Sequence, residues 1–193
     1  SGDDIMLERA PFKKLTKAGY THNGFESYAL PGDPISKAMD EKKAYYGSIG
    51  CQKGDATNFV GVGSSAHGCL GDEYYSQNYY EQNLYRKSLE EGKFPIFRGM
   101  QLSKDDKIRR CVIKTVRTYF ELNFNEIEDK FKIKFNEYFK KEINNLKVFE
   151  KDSLITIEKN KISVTSLGTN FSPQIANIFD NYNPQEIIKD QNF

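Results

Sequence analysis

The 193 residues contain no tryptophan, only two histidines, six prolines and three cysteines. Each scarcity closes off a class of protein. Cys51, Cys69 and Cys111 are odd in number and widely spaced; they imply neither a disulfide framework nor a zinc site, and a reduced cytoplasmic protein is expected. No apolar run approaches the ~18 residues of a membrane-spanning helix, and no signal-peptide pattern opens the chain. Neither sign of charge dominates, with 28 Lys and Arg against 27 Asp and Glu, so bulk electrostatics ask for neither nucleic acid nor a membrane surface. Internal repeats and low-complexity blocks are also missing. Aromatics are plentiful, 12 Tyr and 14 Phe, enough for the core of one ordinary domain or two small ones.

The most informative stretch runs from Asn58 to Asp72. Phe59, Val60 and Val62 read as a short strand buried on both faces. Gly61 and Gly63 interrupt it, and glycine inside a strand marks a place where something approaches the backbone closely. Small residues follow, Ser64, Ser65 and Ala66, then His67 and Gly68. Ligands in α/β folds gather beyond the carboxyl ends of parallel strands, which makes Gly61, Gly63, Ser64, Ala66 and His67 candidate binding residues. A neutral His67 imidazole can donate one hydrogen bond and accept another. The alternative is a ligand-free strand–loop corner, with the His67 ring packing under the C-terminal module.

Residues 4–18 show an approximately helical spacing of Ile5, Leu7, Phe12, Leu15 and Ala18, broken by Pro11 and ended by Gly19. Tyr20 to Leu30 reads as a strand stopped by Pro31-Gly32. Within it Glu26 either faces solvent or points into a barrel mouth, where it could hold a ligand's hydroxyl or ammonium group. His22, on the same face, reads as an ordinary surface histidine. Asp33 as N-cap and Pro34 at the first helical position start a helix expected to reach about Tyr46. With the 58–63 strand this gives a helix–strand rhythm, that of a parallel α/β unit. Two strands cannot close a barrel, so the segment reads as the end of a larger one.

Tyrosines crowd residues 74–85, and a helix is expected from about Tyr79 to Gly92. Ser103, with Asp105 and Asp106 in the first turn, begins a helix striped by Ile108, Cys111, Val112, Val116 and Tyr119. Asn125 and Glu128 resemble a capping box. Phe135, Phe139, Ile143 and Leu146 stripe a further helix. Two strands, Leu154–Glu158 and Lys161–Val164, flank Lys159-Asn160 as a hairpin. A last helix begins near Ser166, limited or kinked by Pro173, and the tail after Asn181 is polar. Three helices followed by a hairpin spell a winged helix. Its third helix mixes Lys134, Lys140, Lys141 and Lys147 with Glu137 and Glu142, the pattern of a solvated surface rather than a basic phosphate-binding face. Arg98, Arg109 and Arg110 could bind carboxylates through their forks, or serve as surface charge paired with Asp105 or Asp106.

Three segments, G-F-E-S-Y-A-L-P-G-D (24–33), F-V-G-V-G-S-S-A-H-G (59–68) and F-R-G-M-Q-L-S-K-D-D-K-I-R-R-C-V-I-K (97–114), carry a resemblance in the right order. The sequence resembles the C-terminal part of the oxygen-independent coproporphyrinogen III oxidase family, whose members are radical S-adenosylmethionine (SAM) enzymes. The family's C-x-x-x-C-x-x-C cluster motif does not occur here, and Ser1-Gly2-Asp3 without an initiator methionine reads as a vector scar on a piece of a longer protein.

The resemblance implies a parent that uses a 4Fe–4S cluster and SAM to remove electrons and carbon dioxide from two propionates of coproporphyrinogen III, in haem biosynthesis. Its implied fold is α/β plus α+β: residues 1–72 close a TIM-like barrel, 73–102 form an aromatic-rich connection, and 103–193 a winged-helix-like domain. Gly61–Ala66 would line the SAM region, with Glu26 and His67 facing SAM or tetrapyrrole, and the arginines would meet substrate carboxylates. The piece itself should hold no cluster and no metal, be inactive alone, and partner the missing N-terminal part of its own barrel. An A-H-G sequence at 66–68 also occurs in haem-chaperone and haem-degrading relatives. The alternatives are therefore a radical SAM relative that binds haem or methylates a tetrapyrrole, and a winged-helix nucleic-acid-binding regulator.

Overall fold

The computed structural model describes residues 11–47, 50–55 and 57–182. Ile5, Leu7 and most of the polar tail lie outside them. The chain divides into two compact units, one made of Ser1–Gly54 and Ile108–Phe193, the other of Asp55–Lys107. Among the described residues no helix is long and apolar enough to cross a membrane.

The first unit opens with a helix over residues 11–17 (α1). Where the sequence pattern predicts one strand over Tyr20–Leu30, the chain folds back on itself. Strands β1 (Thr21–His22) and β2 (Tyr28–Ala29) pair antiparallel. The turn is closed by Asn23 N–H donating to Ser27 C=O (2.7 Å) and Ser27 N–H to Gly24 C=O (3.3 Å). Helix α2 (Pro34–Asp40) starts as expected, with the Asp33 carboxylate accepting from Ile35 N–H at 2.8 Å. It stops at Asp40 rather than near Tyr46 because the next residues are claimed elsewhere. Tyr46 N–H donates to the Thr118 hydroxyl (2.8 Å), and the Tyr119 hydroxyl donates to Ala44 C=O (2.7 Å). These bonds hold β3 (Ala44–Gly47) as a strand paired antiparallel with β4 (Gly50–Lys53).

Helix α3 (Gln82–Glu90) belongs to the second unit, and the chain returns to the first along helix α4. It spans Lys104–Tyr119 and is followed by β8 (Glu121–Asn123), α5 (Phe124–Phe131), α6 (Phe135–Tyr138), α7 (Lys140–Lys151), β9 (Ile155–Glu158) and β10 (Lys161–Val164). The last three strands form one antiparallel sheet in the order β8-β10-β9. A 3₁₀ turn at Gly168–Phe171 leads into α8 (Ser172–Asn177), where Pro173 occupies the first turn and so starts the helix rather than kinking it. Ile108, Val112 and Val116 recur every four residues along α4 and face one core with Leu122, Phe135 and Phe139. Burial of each such side chain is worth about 1.5–3 kcal/mol, and this cluster holds the first unit together.

Two details differ from the sequence pattern here. The cap of α5 is Asn123, whose side chain accepts from Asn125 N–H, while Glu128 accepts from Phe135 N–H (2.7 Å) at the start of α6. Glu142 is not part of a solvated face: it is buried and accepts from Arg109 at 2.8 Å.

The second unit is an antiparallel sheet, β5 (His67–Leu70), β6 (Tyr74–Asn78) and β7 (Ile96–Gln101), in that order, with α3 between β6 and β7. All strand pairs among the described residues are antiparallel, which corrects the parallel α/β expectation. For β5 and β6 a short connection is the physical reason: a parallel crossover needs about a dozen residues, and only residues 71–73 join them. The predicted strand over Asn58–Gly63 is reduced to one bridge, Phe59 to Cys69. Val60 and Val62 are 84% and 87% exposed, so that segment is not buried on both faces.

Candidate functional site

The residues from Gly61 to His67 form a loop entering β5, and its shape is fixed by its own unit. A Cβ placed on Gly61 would lie 2.4 Å from His67 C=O, so this glycine admits the chain's own returning backbone. Gly63, at φ 108°, adopts a conformation that suits only glycine. Asn78, buried at the end of β6, donates through its side-chain amide to the carbonyls of both Gly61 and Gly63 at 3.0 Å. Gly63 N–H donates to the Tyr85 hydroxyl (3.0 Å), and Ser65 N–H to Tyr79 C=O (2.9 Å). The loop is thus stapled from β6 and α3.

Cross-strand register then builds a row of polar side chains. His67 lies opposite Gln77, and Gln77 lies opposite Arg98, so all three share one face of the sheet. Arg98 Nε donates to Gln77 Oε1 at 2.8 Å, and the Gln77 amide reaches Ser65 C=O at 3.4 Å. Gln77 therefore orients the guanidinium and ties it to the glycine loop. The terminal nitrogens of Arg98 and both ring nitrogens of His67 have no partner among the described residues. Such a row presents an exposed guanidinium fork, bonded to Gln77 and lying over the Phe97 ring at 6.0 Å, with an exposed imidazole on the next strand but one, a pattern suited to carboxylate groups.

Of the expected site residues, the structure thus brings Gly61, Gly63, Ser64, Ala66, His67 and Arg98 together in the second unit. Glu26 belongs to the first unit and lies in the hairpin turn rather than within a strand, at φ 57°. His22 is no ordinary surface histidine: its ring stacks on Tyr28 with centroids 4.8 Å apart and an interplanar angle of 14°. Arg109 is not free to meet a substrate. It donates to Glu142 (2.8 Å) and Phe179 C=O (3.0 Å) and stacks on the Phe139 ring. Arg110 follows it on α4, half-buried and turned about 100° around the axis. The sequence does not mark Gln77, Asn78 and Tyr85 as site residues, because nothing local distinguishes them from other polar and aromatic residues of a strand and a helix.

A 4Fe–4S cluster does not fit the described residues. No group of three or more His, Cys, Asp or Glu side chains converges among them. Cys69 is buried in the second unit, whereas Cys51 and Cys111 lie in the first.

Comparison with known proteins decides the relationship. Residues 102–171 match the family described as HemN C-terminal domain. The oxygen-independent coproporphyrinogen III oxidase of Pseudomonas aeruginosa is 36% identical over 179 residues, 93% of this chain. The chain resembles the C-terminal part of these oxidases. The Salmonella typhimurium enzyme is 34% identical over the same share. The chain spans only 38% of the length of each of these two relatives. A solved structure described as coproporphyrinogen III oxidase (HemN) from Escherichia coli, a radical SAM enzyme, superposes with a TM-score of 0.82 at 32% identity. That match covers 93% of this chain and 41% of the other, and the fold is therefore that of the corresponding part of a HemN-type protein.

Proposed function

We propose that this chain is the C-terminal part of a cytoplasmic radical SAM enzyme that oxidatively decarboxylates coproporphyrinogen III, and that it is inactive alone. The observation that carries the reading is similarity to named oxidases along 93% of the chain. In this reading residues 1–72 are the C-terminal portion of the parent's α/β barrel, 73–102 connect, and 103–193 form a winged-helix-like module. The order α4, β8, α5, α6–α7 and the β9–β10 hairpin, with β8 in the same sheet, supports that last assignment. The remainder of the parent would bring the 4Fe–4S cluster and SAM, which supply the radical chemistry. What this chain contributes is binding. Gln77 holds Arg98 so that its fork receives a carboxylate of SAM or of a tetrapyrrole propionate, and His67 adds a hydrogen bond beside the glycine loop.

The test uses the complete parent protein and the isolated chain side by side. The complete protein should convert coproporphyrinogen III to protoporphyrinogen IX, and the isolated chain should not. Arg98→Ala in the complete protein should weaken tetrapyrrole or SAM binding by about 1–3 kcal/mol, the scale of a lost charge-assisted hydrogen bond, with an unchanged melting temperature. Turnover by the chain alone, or a complete protein that binds haem but leaves coproporphyrinogen untouched, would refute the reading.

A further inference from the structure

The β1–β2 turn carries a feature that the oxidase reading does not use. Glu26 sits in the left-handed region at φ 57°, where a side chain with a Cβ costs of order 1 kcal/mol and glycine costs almost nothing. The turn is closed by backbone bonds alone, so the carboxylate has no part in shaping it. Nor does it find a hydrogen-bond or ion-pair partner among the described residues.

The Glu26 side chain lines a cavity of about 410 Å³ within the first unit. Around it stand Leu15, His22, Phe25, Tyr28 and Asn170. The His22 ring is wedged between Tyr28 (4.8 Å) and Phe120 (5.0 Å), with Phe12 edge-on at 5.6 Å. Its nitrogens, the Tyr28 hydroxyl and the Asn170 amide all lack a partner among the described residues. Burial lowers the His22 pKa, which favours a neutral imidazole able to accept a hydrogen bond. The one formally charged group in the wall is therefore the Glu26 carboxylate. Arg117, the cation on the neighbouring helix, stacks on Tyr46 (4.9 Å) and stands over the ring of Phe25 (6.0 Å), a wall residue, without itself lining the cavity.

Glu26 is exposed, and His22, Phe25, Tyr28 and Asn170 are half-buried; an apolar cavity with a few convergent polar groups is what a small-molecule site looks like. A carboxylate beside aromatic faces selects positive charge, since both attract a cation and repel an anion. We infer that this cavity binds a small organic cation, a primary ammonium on a compact apolar body. Glu26 is its counter-ion, Tyr28 its aromatic wall, and His22 and Asn170 its remaining hydrogen-bond acceptors. A carboxylate ligand of the kind that suits Arg98 is excluded here, so this site and the polar row of the second unit recognise opposite charges.

Three probes of nearly one shape and different charge test this on the 193-residue chain: 2-phenylethylammonium, 2-phenylethanol and 3-phenylpropionate. Saturable NMR shifts at His22, Tyr28 and Asn170 are expected with the ammonium, about tenfold weaker binding with the alcohol, and none with the carboxylate. Glu26→Gln should weaken ammonium binding about tenfold. Glu26→Gly, which suits the turn's backbone and should fold at least as well, should do the same. Equal binding of the alcohol, binding of the carboxylate, no saturable shift with the ammonium, or full affinity in either variant would overturn the assignment. Each of these outcomes leaves the oxidase reading untouched, because that reading rests on other residues.

Discussion

Removing the carboxylate of Glu142 should cost about 3–5 kcal/mol of folding stability. The side chains of Arg109 and Glu142 are only 11% and 6% exposed, with 2.8 Å between nitrogen and oxygen. An exposed pair of this geometry would be worth about 0–1 kcal/mol. Here both charges have left water, and taking one away removes the charge-assisted bond that compensates the other. Glu142→Ala would leave the guanidinium with Phe179 C=O at 3.0 Å and the Phe139 ring at 5.3 Å. Those contacts survive the substitution, so the loss should fall near the lower end, about 3 kcal/mol. Replacing both partners together, Arg109→Met with Glu142→Leu, should be less harmful than Glu142→Ala alone, because no charge stays buried. Urea titration followed by far-UV circular dichroism is the assay, since the chain has no tryptophan to report and α4 and α7 dominate the helical signal. A single-mutant loss below about 1 kcal/mol would show that the pair behaves as a surface pair. A double mutant worse than either single would equally refute the argument.

Asn78→Ala should loosen the glycine loop, leaving two carbonyls without their buried donor at a cost of about 1–3 kcal/mol. Hydrogen exchange of amides 61–66 should accelerate while that of α4 and α7 stays unchanged, and unaltered exchange in the loop would count against the staple. Burial lowers the His22 pKa from its usual 6.5, so as pH falls below that value the unfolded chain takes up the proton first and stability drops, with a limiting slope of about 1.4 kcal/mol per pH unit. The contribution is fully present above 6.5 and is lost toward the lower folded-state value. In His22→Phe the pH dependence of the urea midpoint should flatten across that window, and parallel curves for the two proteins would disprove the link.

What could be read from the sequence was what short stretches decide for themselves. Asp33 and Pro34 start α2 because one carboxylate and one ring act within two residues of each other. Ser103 and Asp106 exchange hydrogen bonds at the start of α4, each within three residues of its partner. The hairpin around Lys159-Asn160 also declares itself locally. Partners distant in sequence overrode the rest. The α2 pattern continues through Tyr46, but Thr118 and Tyr119 capture those residues across more than 70 positions. Arg109 reads as a candidate for substrate because Glu142, the carboxylate it bonds, lies 33 residues on. Gly61 reads as room for a ligand when the intruder is the backbone of His67. Alternation and spacing report which residues want burial; they do not report what will arrive beside them.

The two units differ in how far they satisfy their own sequence. The first buries Ile108, Val112, Leu122, Phe135, Phe139 and Leu146 to completion in a single cluster. In the second, the buried apolar side chains among the described residues are Cys69 (4% exposed), Leu102 (6%) and Pro95, while Val60, Val62, Leu70, Phe94, Phe97 and Ile96 are between 45% and 87% exposed. Every residue of β7 faces solvent, and α3 buries none of its side chains. Burying one such side chain is worth about 1.5–3 kcal/mol, so leaving six uncovered forfeits more than most single interactions could restore. A surface of this kind is unusual on a self-sufficient domain. Under the proposed function, the polar row of this sheet would face the ligand and its apolar residues would be covered by the part of the parent that this chain does not span.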